Sequence, residues 1–106
     1  MARRYEGKAA IVTGGTQGLG EAIARRLAAE GAGLVICGRN AGRGEAVRAD
    51  LERAGARAVF VRADLASLDD VAAVIAAADS VFGRVDLLVN AAGLTDRGTI
   101  LDTTPE

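Results

Sequence analysis

Short apolar runs alternate along this chain with longer stretches in which apolar residues recur every three or four positions. Residues 8–13 (KAAIVT), 33–37 (GLVIC), 58–62 (AVFVR) and 85–90 (VDLLVN) are nearly continuous apolar runs. Strands buried on both faces of a parallel sheet read this way, whereas a half-exposed antiparallel strand alternates. Between the runs, Leu19, Ile23 and Leu27 form a helical stripe ending at Gly31, and Val47, Leu51 and Ala54 form another ending at Gly55. A third helix opens with Ser67 and Asp70, an approximate capping box. It carries Val71, Val74, Ile75, Ala78 and Phe82, and stops at Gly83. Strand and helix alternating in this way predict βαβ units. Right-handed crossovers wind them into an α/β fold, a doubly wound parallel sheet of strand order 3-2-1-4, truncated before its second half.

The last residues extend that expectation. Thr104, Pro105 and Glu106 have the order of an N-cap, a first-turn proline and a first-turn acid. A helix is therefore expected to start where the chain stops, which makes residues 1–106 the amino-terminal part of a larger domain. With 50% hydrophobic but only 3% aromatic residues, the core must be built from Ala, Val, Leu and Ile.

Charge and composition exclude several function classes. A net charge of -1, from 13 basic and 14 acidic residues interspersed, supplies no basic face for nucleic acid. One cysteine allows no intrachain disulfide, and the lack of histidine removes the usual zinc clusters and histidine bases. A reducing, cytoplasmic setting follows as the expectation. The longest apolar run, Val71 to Ala78, is far shorter than the ~20 residues of a membrane span. Arg3 and Arg4 are followed only by the short apolar stretch Ala9 to Val12, too little for an export signal.

The candidate chemistry begins at TGGTQGLG, Thr13 to Gly20, between the first strand and the first helix. Such a turn lets unpaired backbone N–H groups face an anion with the helix dipole behind them. Gly14, Gly18 and Gly20 remove the Cβ atoms that would keep a pyrophosphate off that backbone. Their GxxxGxG spacing differs from GxGxxG, and by itself it fits a tight turn with close helix packing equally well. Two further motifs lie at strand ends: ADL (Ala63–Leu65) after the third strand and NAAG (Asn90–Gly93) after the fourth.

Together, in this order, the three motifs resemble the short-chain dehydrogenase/reductase family, from about Tyr5 to the last residue. The resemblance implies a Rossmann-type NAD(P)-binding domain. It implies that Gly14, Gly18 and Gly20 form the pyrophosphate turn, with Thr16 and Gln17 close to the phosphates and Leu19 near the nicotinamide end. Asp64 would bond the adenine amino group, Leu65 would add a backbone contact, and Asn90, Ala91 and Gly93 would line the ribose and nicotinamide side. The family often has NNAG, so Ala91 stands where an amide is common. Read locally, Asp64 could instead cap the following helix and Asn90 could be a turn residue that bridges backbone groups.

Cofactor choice is read about twenty residues past the last glycine, where an acid suits NAD and a base suits NADP. The second strand ends in Cys37 and Gly38 with no carboxylate, followed by Arg39, Asn40 and, nearby, Arg43. A guanidinium fork matches phosphate, which predicts NADP over NAD; the alternative is a solvated loop arginine. Cys37 has no histidine or lysine beside it and reads as a small buried hydrophobe.

Family members carry proton transfer on a tyrosine and a lysine four positions later, usually with an upstream serine. The only tyrosine and lysine here, Tyr5 and Lys8, are three apart and precede the first strand. Ser67 and Ser80 do not replace the serine. The chain is therefore expected to carry a cofactor cradle without catalytic residues or a metal site, and to be inactive alone. The whole enzyme would act on a small-molecule carbonyl or alcohol as a homo-oligomer, with no nucleic-acid or membrane partner. Only Leu94 to Thr99 approach the expected substrate edge. A non-catalytic dinucleotide-binding or interaction domain is the alternative reading.

Overall fold

A computed structural model of the chain describes residues 4–14 and 18–91. In chain order these form β1 (Ala9–Thr13), α1 (Gly18–Ala29), β2 (Gly33–Gly38), α2 (Ala41–Arg53), β3 (Ala58–Arg62), α3 (Leu68–Phe82) and β4 (Leu87–Asn90). The strands form one parallel sheet in the order β3-β2-β1-β4, as the sequence pattern predicts. The register sets Ile11 beside Val35 and Leu88, and Val35 beside Val59.

Side-chain alternation along the strands divides the core into two layers. Ala10, Val12, Leu34 and Ile36 face α1 and α2, where Ala24, Leu27, Val47 and Leu51 cover them. Ile11, Val35 and Cys37 face the other side, covered by Val74 and Ala78 of α3. Small residues allow close approach where the ring of a phenylalanine must fit. A Cβ added at Gly44 of α2 would stand 2.1 Å from the Phe60 ring of β3, so glycine there lets the helix lie down on the strand.

Local chemistry fixes the helix ends. Asn40 caps α2 by accepting the Arg43 backbone N–H, and Ser67 caps α3 by accepting that of Asp70. Gly31, Gly55 and Gly83, the expected stops, all have positive φ. The first stripe differs from expectation in one respect. Leu27 is buried, Ile23 is half-buried and Leu19 is 46% exposed, because Gly20, Ala24 and Leu27 form the inward line of α1.

Candidate functional site

The carboxyl ends of the strands converge around β1, next to the point where strand order reverses from β1-β2-β3 to β4. The turn after β1 is anchored on both sides. The Gly14 N–H donates to the Cys37 carbonyl of β2 at 3.0 Å, and the Ala91 N–H beyond β4 donates to the Thr13 carbonyl at 3.1 Å. Gly20, in the first turn of α1, sits so close that an added Cβ would be 2.0 Å from the Gly14 oxygen and 3.2 Å from the Ala91 Cβ. Gly14, Gly20 and Ala91 thus form one tightly packed knot.

Gly18 plays a different part. Its φ of +57° is left-handed, and an added Cβ would meet no described residue within 4 Å. It opens α1, whose dipole favours an anion at this end. Glu21 in the same turn would oppose an anion, but its carboxylate is engaged by Arg25 at 2.6 Å and Arg43 at 3.4 Å. The charge of Glu21 at the start of α1 is thus compensated. Thr16, Gln17 and Gly93 lie outside the described residues, as do Leu94 to Thr99 and the helix start read at Thr104 to Glu106.

Thr13, which the sequence alone does not single out, lies beside these strand ends. It is buried, and its hydroxyl donates to Asn90 Oδ1 at 2.9 Å, with the Val89 carbonyl as a second acceptor at 3.3 Å. Asn90 is thereby tied across the ends of β1 and β4 while remaining exposed. The signal available was a polar residue closing an otherwise apolar strand.

After β3, Asp64 makes a local turn, with its Oδ1 accepting the Ala66 N–H at 3.0 Å. Its other carboxylate oxygen bonds no described residue. The Asp64 N–H donates to Asp70 Oδ2 at 2.8 Å. The expected capping box is thus half formed: Ser67 takes the Asp70 N–H at 3.3 Å, while the Asp70 carboxylate braces the ADL turn. The cap of α3 is Ser67, not Asp64. Leu65 and Leu19 are both substantially exposed on this side of the molecule.

Arg39 leaves β2 exposed at the bend before α2, and no described carboxylate pairs with it. Arg43 is held by Glu21. The Cys37 thiol is buried, and burial pushes its pKa up against a smaller opposing effect of the Gly14 backbone N–H, so it is no nucleophile near neutral pH. Tyr5 and Lys8 lie at the opposite end of β1. The Tyr5 N–H bonds the Glu30 carbonyl at 2.8 Å and the Lys8 N–H bonds the Tyr5 carbonyl at 2.9 Å.

A second cleft, of about 330 Å³, opens at that amino end between Lys8, Ala28, Gly33, Arg57, Phe82 and Arg84. Helix carboxyl ends border it, beside the cationic side chains of Lys8, Arg57 and Arg84. Among the described residues no group of three or more acidic, histidine or cysteine side chains could hold a metal, and no helix is long and apolar enough to cross a membrane.

The family model for short chain dehydrogenase matches residues 8–106. The chain belongs to the short-chain dehydrogenase family. Among solved members, a hydroxysteroid dehydrogenase from Escherichia coli superposes with a TM-score of 0.80 at 36% identity, over 83% of this chain and 37% of that one. A short-chain dehydrogenase/reductase from Burkholderia phymatum in complex with NAD superposes at 0.78 with 35% identity, over 80% of this chain and 30% of that one. A curated relative, the 2,5-dichloro-2,5-cyclohexadiene-1,4-diol dehydrogenase LinX of Sphingobium indicum, is 42% identical over 98 residues, 92% of this chain and 39% of the relative. The chain spans well under half the length of the short-chain dehydrogenases it matches.

Proposed function

We propose that this chain is the cofactor-binding part of an NADP-dependent oxidoreductase that reduces a carbonyl or oxidises an alcohol on a small molecule. The observation that carries the reading is the end of β2. Arg39 stands there exposed and without a described carboxylate partner, where an NAD enzyme would offer an acid to the ribose. The NAD found with the Burkholderia phymatum relative belongs to that protein; here Arg39 favours the 2′-phosphate.

The remaining roles follow the same face. Gly14, Gly18 and Gly20 present backbone to the pyrophosphate, with Thr16 and Gln17 beside it and Leu19 toward the nicotinamide. Asp64, through its free carboxylate oxygen, receives the adenine amino group, with the Leu65 backbone adjacent. Asn90, Ala91 and Gly93 line the ribose and nicotinamide, and Thr13 orients Asn90. The bound cofactor would supply or accept the hydride. What these residues do is hold it, since Tyr5 and Lys8 sit at the far end of the sheet and no other tyrosine or lysine exists in the chain. The 106-residue chain alone is therefore inactive in this account, and the whole protein is a cytoplasmic homo-oligomer.

Titration of the whole protein with NADPH and NADH tests the cofactor assignment. A charge-assisted bond contributes about 1.5–3 kcal/mol, so NADPH should bind at least about tenfold tighter, and Arg39→Asp should reverse the order. An unchanged ratio in Arg39→Asp would refute the assignment.

A further inference from the structure

We infer that Arg62 is a second guanidinium for the adenosine 2′-phosphate, set beside Arg39 by the register of β2 and β3; this rests on the NADP reading above. Gly38, the residue before Arg39, pairs with Arg62. Adjacent strands lie about 4.8 Å apart, so the two arginines leave neighbouring strand ends. The ladder continues past them through the Ala63 N–H, which donates to the Gly38 carbonyl at 2.9 Å.

The direction of the side chain follows from Phe60. Its ring packs where a Cβ of Gly44 would lie, so it faces α2. Arg62, two residues on in the same strand, shares that face. Moving from Phe60 to Arg62 runs toward the start of α2, so Arg62 lies level with a first turn that contains no acid.

Charge pairing singles out the same two residues. Every other described arginine pairs with a carboxylate, except Arg57, which lies over the Phe82 ring. Arg39 and Arg62 pair with no described carboxylate, and both are exposed. Asp64, the nearest acid along the chain, turns one oxygen onto the Ala66 N–H. A phosphomonoester carries about -1.5 to -2 charges near pH 7 and three acceptor oxygens, enough for two guanidinium forks. An alternative role for Arg62 is to keep the open edge of β3 from pairing with another chain, and that role would not distinguish a 2′-phosphate from a hydroxyl.

The test is to titrate the whole protein and its variants with adenosine 2′,5′-bisphosphate and with 5′-AMP. Arg62→Gln should weaken the bisphosphate about tenfold and leave 5′-AMP and the melting temperature unchanged, with Arg62→Lys between the two. Combining it with Arg39→Gln should abolish the preference. If Arg62→Gln changes neither ligand, or both equally, while Arg39→Gln lowers the preference, the assignment of Arg62 is wrong and the NADP reading stands. A wild-type protein with no preference for the bisphosphate would remove the NADP reading and this inference together.

Discussion

Gly18 and Gly20 stand two residues apart and obey different constraints. At Gly20 an added Cβ would collide with backbone 2.0 Å away, and backbone cannot swing aside as a flexible side chain can. Gly20→Ala should therefore destabilise the protein by about 1–3 kcal/mol, measured by urea unfolding. At Gly18 no described residue stands within 4 Å of an added Cβ, and the left-handed φ resists a side chain. Gly18→Ala should cost about 1–2 kcal/mol of stability, while Gly18→Val should in addition lose most cofactor affinity if the open space is the pyrophosphate seat. Equal stability losses with unchanged NADPH binding would contradict this division. The sequence announced the glycines but not their separate reasons, because spacing carries no information on which Cβ would strike backbone and which would strike a ligand. Thr13 was hidden for a similar reason: its bond to Asn90 joins residues 77 positions apart.

At the scale of elements, the apolar runs located all four strands, because a strand covered on both faces has little freedom in composition, and right-handed crossovers gave their order. The edges were less legible. The run at 85–90 shortens to Leu87–Asn90, and the preceding residue pairs differently. The Asp86 N–H bonds the Ala9 carbonyl at 2.8 Å, and the Asp86 carboxylate accepts the Ala9 N–H at 2.8 Å. Arg84 grips the same carboxylate and, with the Ala9 N–H, holds its pKa below the ordinary value. A depressed folded-state pKa contributes stability that is present above the unfolded value, about 3.9, and is lost as pH falls through the folded value. Asp86→Asn should therefore flatten the stability curve below about pH 4 while changing little of its shape above pH 6. Acid unfolding of both proteins by circular dichroism checks this, and identical acid limbs would exclude Asp86. Ile75 belongs to the apolar stripe of α3, yet it is 54% exposed, since the helical period gives a stripe's width but not which part the sheet covers.

The whole molecule shows what that exposure adds up to. Leu88 pairs with Ile11 on the α3 side of the sheet and is 69% exposed, while Val85 is 46% exposed and Ile75 lies on α3 nearby. Val85 and Ile75 together border an apolar groove. β4 also leaves one edge unpaired among the described residues. A piece limited to these 106 residues should self-associate, and Leu88→Lys should shift it toward monomer in sedimentation velocity; a wild-type monomer at about 100 μM would contradict that expectation. The two ends of the sheet differ: α1 starts at the carboxyl end, while the amino end has a cleft bordered by helix carboxyl termini and by Lys8, Arg57 and Arg84. The most direct measurement is a crystal structure of the whole protein grown with NADP. The pyrophosphate should lie over the Gly18 to Gly20 backbone and the 2′-phosphate against Arg39. A dinucleotide in the cleft between Lys8, Arg57 and Arg84, or a 2′-phosphate turned away from Arg39 into solvent, would contradict it.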